Sequence, residues 1–371
     1  METARNVTII GGGGGVSVIT PAFAALSSPG KTTAVAAESD SGGSSGEWVE
    51  LMKKERPDAA ALPPGDCRRI IASVAASQRI GEALNYRFGP KSLNEAVTDL
   101  TEAIGDVGLA LNTSVIDAVY EANDMLEGAL QRHPLGNLVL GRLAMEEGFS
   151  SAVQTVSELV GARARVLPVT VTPHALVADT GTHRLVGEHI IDKAAVDWLA
   201  ADIHFSSAVD LGPGVRSAVA SADLVVVPPG SMDTSIAAAL RVRGMAEELQ
   251  HQKEAGGKFI AVTNLVTPVK DNYARDVADH VMAIQRWSGR ELDGVIYNNA
   301  FDKLPDPARA VPVDVARLLE LGVLAVGADL VGRIVPKKPD DSLARAEVEH
   351  NASVVAELAY QHFLSRQLVP A

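Results

Sequence analysis

The chain has 371 residues, of which 47% are hydrophobic and 21% charged, and its formal net charge is −13. This composition is typical of a globular protein with a sizeable core, and the acidic balance argues against a nucleic-acid partner, which normally binds a basic face. A lone cysteine, Cys67, excludes an internal disulfide and fits a reducing compartment. No apolar run approaches the roughly 20 residues that span a bilayer, and no secretory leader pattern is present. We therefore expect a cytoplasmic protein without a membrane or nucleic-acid partner.

Short β-branched runs alternate with helical stretches, as in parallel sheets with crossover helices. The predicted strands are residues 7–10, 33–37, 224–227, 259–262, 294–298 and 324–326. Residues 175–179 and 183–188, separated by a short turn with a glycine, instead predict an antiparallel hairpin. The fold class is therefore α/β: a doubly wound, Rossmann-like, mostly parallel sheet with helices on both faces and a small antiparallel hairpin insertion.

The chain shows no internal repeat and no low-complexity linker, which predicts a single domain over residues 1–371. A run of apolar residues at helical spacing predicts a helical insertion at about 90–160. A C-terminal helix is expected at about 342–366.

A glycine run directly follows the first predicted strand, as Gly11, Gly12, Gly13, Gly14 and Gly15. Glycines allow close approach of the backbone to a ligand, and a helix that starts there would direct free N–H groups at an anion. The dinucleotide fingerprint is not met, because Val16 or Ser17 stands where its third glycine is required. This disfavours a dehydrogenase. The run predicts a phosphate site, with a simple tight turn as the alternative.

Asp40, Ser44 and Ser45 lie in a polar segment after the second predicted strand. Open α/β sheets bind ligands at this end of their strands. Asp40 could hold a metal, accept a ribose hydroxyl or take a proton. The alternative is a mobile polar loop without a function.

Two further segments precede apolar helices. The first contains Gly65, Asp66 and Arg68, and Asp66 is a candidate helix N-cap. The second contains His133 and Asn137, and Asn137 is a candidate cap whose side chain could also bind an amide or hydroxyl. Neither His133 nor Cys67 has an evident catalytic companion, so structural roles are expected for both.

A strand, a glycine turn and hydroxyl side chains at a helix start recur near the middle of the chain. The residues are Gly230, Ser231, Thr234 and Ser235, followed by a predicted helix over 236–249. Asn264 and Thr267 repeat the geometry after the next strand. Such turns bind anions, and with the glycine run they would line one edge of the sheet.

Taken in order, these segments resemble the family that holds the bacterial gluconeogenesis factor (YvcK-like) and 2-phospho-L-lactate transferase (CofD-like). The matching motifs are the strand with its glycine run, the aspartate before GGSSG, then PPGD, HPLGN, the hairpin and PGSMDTS. The resemblance implies a Rossmann-like core that holds its ligand across the carboxyl edge. That ligand is a UDP-sugar in the first branch. In the second branch, a phospholactyl group moves from a guanosine diphosphate carrier to a deazaflavin alcohol with Mg²⁺ assistance.

By that resemblance Gly12 to Gly15 would contact phosphates and Asp40 would lie at the sugar or a metal. The other residues assigned to nucleotide or phosphate binding are Gly11, Ser44, Ser45, Gly65, Asp66, Arg68, His133, Asn137, Gly230, Ser231, Thr234, Ser235, Asn264 and Thr267. A homodimer is also expected.

The departures from the family pattern mark a divergent member. Gly14 replaces a threonine, Ser41 replaces a second aspartate, and Asp233 stands at a position that is commonly bulky. Residues 268–271 also differ from the pattern. Loss of an aspartate weakens a two-carboxylate metal site, and these changes make the ligand the least transferable property.

Two functions follow as hypotheses. The first is a metabolic regulator that binds a UDP-sugar-like or GDP-linked ligand without turnover. The alternative is a Mg²⁺-dependent transferase that moves a phosphoester-linked group to a hydroxyl acceptor, with Asp40 as the catalytic or metal-binding residue. No activated nucleophile is evident, which favours direct attack by the acceptor. Trp48 is a candidate apolar surface for an aromatic acceptor.

Overall fold

A computed structural model describes residues 5–57, 60–88, 91–105, 113–126, 133–194, 196–268, 273, 275–335 and 348–365. The strands are β1 Val7–Gly11, β2 Thr32–Ala36, β3 Arg165–Pro168, β4 Leu176–Asp179, β5 Arg184–Val186, β6 Asp202–Phe205, β7 Leu224–Val227, β8 Lys258–Val262, β9 Gly294–Asn298, β10 Leu324–Ala328, β11 Val331–Ile334 and β12 Val348–His350.

The α-helices are α1 Gly13–Leu26, α2 Gly43–Glu55, α3 Gly65–Val74, α4 Gln78–Asn85, α5 Leu93–Gly105, α6 Thr113–Met125, α7 Leu135–Glu147, α8 Phe149–Leu159, α9 Glu188–Lys193, α10 Val215–Ala220, α11 Ala237–Leu240, α12 Met245–Glu254, α13 Val277–Ser288, α14 Val315–Glu320 and α15 Ala352–Ala359. Turns of π-helix cover Met232–Ile236 and Tyr360–Leu364, and 3-10 turns cover Phe301–Lys303 and Pro307–Arg309. Among these described helices, none is both long and apolar enough to cross a bilayer.

A seven-stranded parallel sheet organises the fold, in the order β10-β9-β8-β7-β1-β2-β3. Its strands are short apolar runs because both faces are covered, and two separate hydrophobic clusters fill the space between the sheet and its helices. The chain runs outward from β1 to β3, then returns to build the other half from β7. The strand order therefore reverses between β1 and β7, which is where open α/β sheets bind ligands.

The α/β prediction is confirmed, and so is the antiparallel hairpin, which forms β4 and β5. Four strands were not predicted. They are β3 at the edge of the main sheet, β6, which pairs with the other side of β4, and the antiparallel pair β11 and β12. The strand β3 has only four residues, with an exposed arginine and a proline at its ends, so its sequence carries little strand pattern.

The predicted helix over 236–249 is wrong in two respects. A π-turn precedes it, and the chain leaves helical geometry after α11 before α12 begins. The break contains Gly244, whose φ of +97° is a conformation that few residues other than glycine adopt. The predicted C-terminal helix starts later than expected within the described residues. Val348–His350 instead pairs with β11, and the Asn351 side chain caps α15 by accepting the Val354 N–H.

Candidate functional site

The loops after β1, β2, β7 and β8 meet at the carboxyl edge of the sheet. Ser235, after β7, lies against Gly12, after β1: a Cβ built on Gly12 would stand 2.4 Å from Ser235 Oγ. Ser39, after β2, donates its hydroxyl to the Thr234 carbonyl at 2.9 Å. Asn264, after β8, holds Gly230. Four of the predicted segments therefore form one continuous surface.

The glycine run ends β1 and forms the first turn of α1. Gly12 is the N-cap and supplies no side-chain cap, and no acidic residue lies in the first turn of the helix itself. A Cβ on Gly13 would stand 2.5 Å from Asp66 Oδ1, and one on Gly15 would stand 1.7 Å from the Pro229 carbonyl oxygen. On Gly14 it would meet only the Arg69 Nη1, at 3.6 Å. Packing against neighbouring residues therefore leaves no room for a side chain at Gly13 or Gly15. At Gly14 there is room, and the space is bordered by the Arg69 guanidinium.

Acidic side chains gather beside this turn. The Asp66 carboxylate accepts the Gly13 N–H, and burial raises the Asp66 pKa while Arg69 opposes the rise. A Cβ on Gly65 would lie 3.3 Å from Asp40 Oδ2 and 2.5 Å from Ser45 Oγ. Asp40 therefore lies beside the start of α3, and Asp66 links the start of α3 to the start of α1. The prediction of Asp66 as an N-cap is wrong, because Pro64 holds that position.

Glu188 adds a third carboxyl group that the sequence did not indicate. Burial, followed by the charges of Asp40 and Asp192, raises the pKa of Glu188 to about 8. The Ser41 N–H donates to this carboxyl group, and Ser41 Oγ accepts the His189 N–H at 3.0 Å. Ser41, which stands where the family has a second aspartate, thus joins the loop after β2 to α9. Glu188 ends the predicted hairpin segment, but no role was assigned to it from the sequence, because its approach to Asp40 depends on how the chain folds.

Behind these acids lies a buried pair. The Cys67 thiol donates to Glu38 Oε1 at 2.8 Å, and Glu38 Oε2 is buried without a hydrogen-bond partner. Burial raises the pKa of both groups, and the negative charge of Asp66 adds to the rise. Cys67 was predicted to be a partly buried residue with a structural role, and the structure shows that it is fully buried.

The donor set is suited to Mg²⁺ bound together with phosphate. Within the described part of the chain, no group of three or more His, Cys, Asp or Glu side chains is arranged to hold a metal ion. Mg²⁺ commonly takes one or two carboxylates and completes its shell with water and phosphate oxygens. Asp40 and Asp66 supply two carboxylates next to a helix N-terminus, so the residues present fit that mode of binding.

The loop after β7 is held by its own hydrogen bonds. Ser231 Oγ donates to Asp233 Oδ1 at 2.5 Å, and Thr234 donates its N–H to the same oxygen at 3.0 Å. Asn264 accepts the Gly230 N–H at 2.8 Å and donates to the Gly230 carbonyl at 2.9 Å. The Asn264 side-chain amide therefore positions this loop, and both its oxygen and its nitrogen are hydrogen-bonded to the Gly230 backbone.

The PPGD and HPLGN segments meet in the interior. Arg68 donates from Nε to Asn137 Oδ1 at 3.1 Å and from Nη1 to Asn85. Asn137 is fully buried inside α7, whose N-cap is Pro134, so its prediction as a cap is wrong. The His133 Nε2 lies 3.1 Å from Glu47 Oε2. Asn137 thereby joins the helical insertion to α3, two residues after Asp66, and His133 joins it to α2.

Two other expectations concern α2. Ser45 is buried against Gly65, whereas Ser44 is half-buried one residue earlier in the first turn. Trp48 is fully buried, and a Cβ on Gly141 would stand 2.0 Å from its ring. Trp48 is therefore a core residue, and the suggestion that it offers a surface to an acceptor is wrong.

A small recess opens next to the β7 and β8 loops, with about 20 Å³ of space for the centre of a water-sized molecule. Its polar lining comprises Ser231, Asp233, Asn264, Thr267, Arg275 and His280. Trp198 forms one wall, 5.2 Å from the His280 ring and 6.0 Å from the Arg275 guanidinium carbon. Burial lowers the pKa of His280 and favours its neutral form. Of this lining, the sequence had indicated only the residues from the two loops.

A parallel α/β sheet with a glycine turn at its switch point defines the Rossmann-like class of α/β folds. Within that class, the family described as 2-phospho-L-lactate transferase CofD matches residues 7–331, and the chain belongs to this family.

The family description carries the name of one branch of the resemblance, and the relatives carry the name of the other. The chain is 26% identical over 364 residues to the gluconeogenesis factor of Listeria innocua, covering 96% of this chain and 95% of that protein. The same figures apply to the gluconeogenesis factor of Listeria monocytogenes. A UPF0052 family protein from Bacillus halodurans superposes with a TM-score of 0.71 at 22% identity, over 96% of this chain and 98% of that one. The suspected family is therefore confirmed.

Proposed function

We propose that this protein binds a nucleotide-diphosphate ligand, UDP-sugar-like or GDP-linked, at the carboxyl edge of the sheet and acts as a metabolic regulator. The observation that carries the proposal is the meeting of the glycine turn, Ser235 and the Asp40–Asp66 pair at one point. Asp66 accepts the Gly13 N–H at the start of α1, the remaining N–H groups of that first turn are offered to a diphosphate, and Arg69 stands beside Gly14. The names of the relatives support the regulatory role.

We propose in addition that Mg²⁺ accompanies the ligand. A diphosphate placed beside the Asp40 and Asp66 carboxylates would meet like charges, which raises the free energy of the complex. When bound, Mg²⁺ would neutralise charge between these carboxylates and the phosphate oxygens. Asp40 and Asp66 are the residues that would hold it. Ligand affinity should therefore depend strongly on the cation.

The alternative proposal is a transferase, and the Glu188 carboxyl group is the observation that favours it. In that reaction the acceptor hydroxyl oxygen forms a bond to phosphorus, and the bond to the leaving nucleotide phosphate breaks. The hydroxyl proton must pass to a base. A glutamate with a pKa of about 8 beside Asp40 is a comparatively strong carboxylate base, and it is able to accept this proton in the fraction that is ionised, which grows as the pH approaches 8.

A thermal-shift panel tests the proposal. The purified protein is heated with UDP-N-acetylglucosamine, UDP-glucose, GDP, GTP or NAD, each with and without Mg²⁺. A ligand at 100 times its Kd stabilises a protein by about 2.7 kcal/mol, which raises the melting midpoint by a few degrees. We expect a shift with a UDP-sugar or a guanine nucleotide that grows with Mg²⁺. No shift with any of these nucleotides would contradict the proposal.

Asp40→Asn separates the two functions. If the protein is a transferase, the variant should keep nucleotide binding but lose turnover of a nucleotide-linked donor. If it is a regulator, no product forms with either protein, and the variant changes only the Mg²⁺ dependence of binding. Asp302→Asn, an exposed position in a 3-10 turn, is the matched control.

The family resemblance is also the ground for proposing a homodimer in the cytoplasm. Size-exclusion chromatography with light scattering would measure the mass in solution. A monomeric mass at micromolar concentration would contradict the dimer.

A further inference from the structure

The strand β10 forms one edge of the seven-stranded sheet, and within the described ranges of the chain it pairs on one side only, with β9. Leu324 donates its N–H to the carbonyl of Asp293, which immediately precedes β9, at 3.2 Å. Because the direction of the backbone groups alternates along a strand, Ala325 and Gly327 direct their N–H and C=O groups away from the sheet. These groups are available to a further strand.

This edge lacks the features that usually prevent strand pairing. Natural proteins protect exposed edges with charged side chains, proline or β-bulges. Residues 321–328 contain no charged residue and no proline, and β10 pairs with β9 in continuous register. Two copies of a chain with a net charge of −13 repel each other, so their approach costs least at an uncharged surface. The edge therefore suits a second copy of this chain.

Exposed apolar side chains accompany the edge. On α14, Arg317 donates to the Asp279 carboxylate of α13, so this flank of α14 faces the neighbouring helix. Val315 and Leu319 are four residues apart on the other flank, and they are 51% and 71% exposed. Leu324, at the start of β10, is 48% exposed. Since α14 packs on β10 and α13 packs on the helices nearer the centre of the sheet, the apolar flank of α14 faces the open edge.

We propose that this edge is the interface between two copies of the chain, which pair antiparallel through β10 about a two-fold axis at Val326. Only this register pairs all five residues of β10 with one another. Ala325 of each copy then exchanges both of its hydrogen bonds with Gly327 of the other, and Val326 faces its equivalent across the axis. The two α14 helices lie side by side, with Val315 and Leu319 between them.

The inference rests on the homodimer of the proposed function and names the surface that forms it, whereas it does not depend on the ligand. A five-residue strand and one short helix make a smaller contact than the roughly 800 Å² per partner of a standard interface. The dimer is therefore reversible, and we expect a Kd of about 1 µM.

Formation of an intermolecular disulfide tests the register in the full-length protein. Val326→Cys places two thiols across the axis, where the Cα atoms of opposite residues are about 4.5 Å apart and within disulfide range. Leu324→Cys is more exposed, but the two-fold axis places its equivalent about 14 Å away along the strands. Copper–phenanthroline, which oxidises two thiols to a disulfide, should link Val326→Cys into a covalent dimer and leave Leu324→Cys monomeric under denaturing conditions. Cys67 is buried, and the wild-type protein gives its background.

Sedimentation velocity from about 0.1 to about 100 µM measures the Kd. Leu319→Lys changes an exposed position and places two like charges side by side, so it should raise the Kd at least about tenfold. Ala325→Pro removes an outward N–H from each copy and leaves the pairing with β9 intact, and it should raise the Kd by a similar factor. Leu26→Lys, at a leucine that is 49% exposed at the end of α1, is the matched control and should leave the Kd unchanged.

The possible failures are distinguishable. If the wild-type protein is monomeric over the whole range, both the homodimer and this interface are wrong. If it is dimeric and neither Leu319→Lys nor Ala325→Pro weakens the dimer, the homodimer stands and the inference is wrong. Equal cross-linking of Val326→Cys and Leu324→Cys would contradict the two-fold axis at Val326. Failure of nucleotide binding in the thermal-shift panel would leave the interface standing.

Discussion

At the scale of single residues, adjacent glycines in the same helical turn have opposite surroundings. A side chain on Gly15 would collide with the Pro229 carbonyl, which belongs to the backbone and cannot rotate away. A side chain on Gly14 would enter ordinary contact with Arg69. The glycine run therefore combines a packing requirement with an open face.

We predict that Gly15→Ala lowers the free energy of unfolding by about 3 kcal/mol or more, since overpacking against backbone forces the strand and helix apart. Gly14→Ala should change it by less than about 1 kcal/mol and can raise it, because alanine favours the helix. Urea denaturation of both variants provides the measurement. Equal stability of the two variants would show that the turn does not pack against the β7 loop as described.

Glu188 makes stability depend on pH. Its pKa of about 8 in the folded chain lies above its ordinary value of 4.5, so the folded state binds more protons between these values. Stability should therefore fall as the pH rises from about 4.5 to about 8. Glu188→Gln imitates the protonated form and should be more stable than wild type, by an amount that grows by at most about 1.4 kcal/mol per pH unit in this range.

Thermal melts from pH 5 to pH 9 would measure this effect, with Glu320→Gln on the exposed face of α14 as the control. A difference between Glu188→Gln and wild type that stays constant with pH would contradict the assignment. Saturating Mg²⁺ should reduce the difference at high pH, since a cation stabilises the charged form.

Residue roles were only partly predictable from the sequence. Asp40, Asp66 and the glycines follow strands or open helices, and their positions follow from chain order. Asn137 was predicted as a cap because asparagine favours such positions, yet it lies inside α7 where Arg68 occupies its oxygen. Cap preference is local, whereas this contact joins segments 69 residues apart.

At the scale of elements, the loops after β7 and β8 are joined by one side chain. The Asn264 side chain accepts the Gly230 N–H and donates to the Gly230 carbonyl, and it thereby fixes the loop that carries Ser231 and Asp233. We predict that Asn264→Ala lowers the free energy of unfolding by about 1–3 kcal/mol, because the Gly230 groups lose their partners. Nucleotide affinity should fall as well, since the loop is no longer held in place.

Chemical denaturation and the thermal-shift panel would measure both effects. Asn299→Ala removes an exposed asparagine near the end of β9 and serves as the matched control. If Asn264→Ala behaves like the control, the two hydrogen bonds between Asn264 and Gly230 have no role in stability or binding.

Elements with a strong apolar pattern were predictable, and weak ones were not. The six predicted strands of the main sheet are mostly apolar, whereas β3 has four residues and begins with an exposed arginine. The alanine-rich stretch after β7 has high helix propensity throughout, but the π-turn at its start arises from Ser231, Asp233 and Thr234 bonding to one another. Propensity alone cannot show that competition.

At the scale of the whole molecule, the topology places every proposed ligand contact on one side. The carboxyl ends of β1, β2, β7 and β8 all face this edge because the strands are parallel. Alternation of strands and helices was enough to predict this arrangement. The approach of α9 was not predictable, because it depends on where the inserted hairpin docks.

We predict that nucleotide with Mg²⁺ slows amide hydrogen exchange at residues 12–15, 41–45, 187–190 and 230–235. Residues 28–31, at the opposite end of β2, should exchange as before. Exchange measured by mass spectrometry would show the pattern. Protection that spreads equally over both ends of the sheet would indicate global stabilisation and would contradict a site confined to the carboxyl edge.

The buried Cys67 thiol has a practical consequence. It is the only cysteine in the chain, and burial with the neighbouring Glu38 raises its pKa, so a disulfide reagent such as DTNB cannot modify it while α3 stays packed. The labelling rate of the unmodified protein then reports how often α3 opens. Because Asp66 precedes Cys67, saturation of the edge with ligand should slow labelling, and rapid modification of the native protein would show that α3 opens freely. The labelling rate of Cys67 is thus a built-in measure of local unfolding at α3.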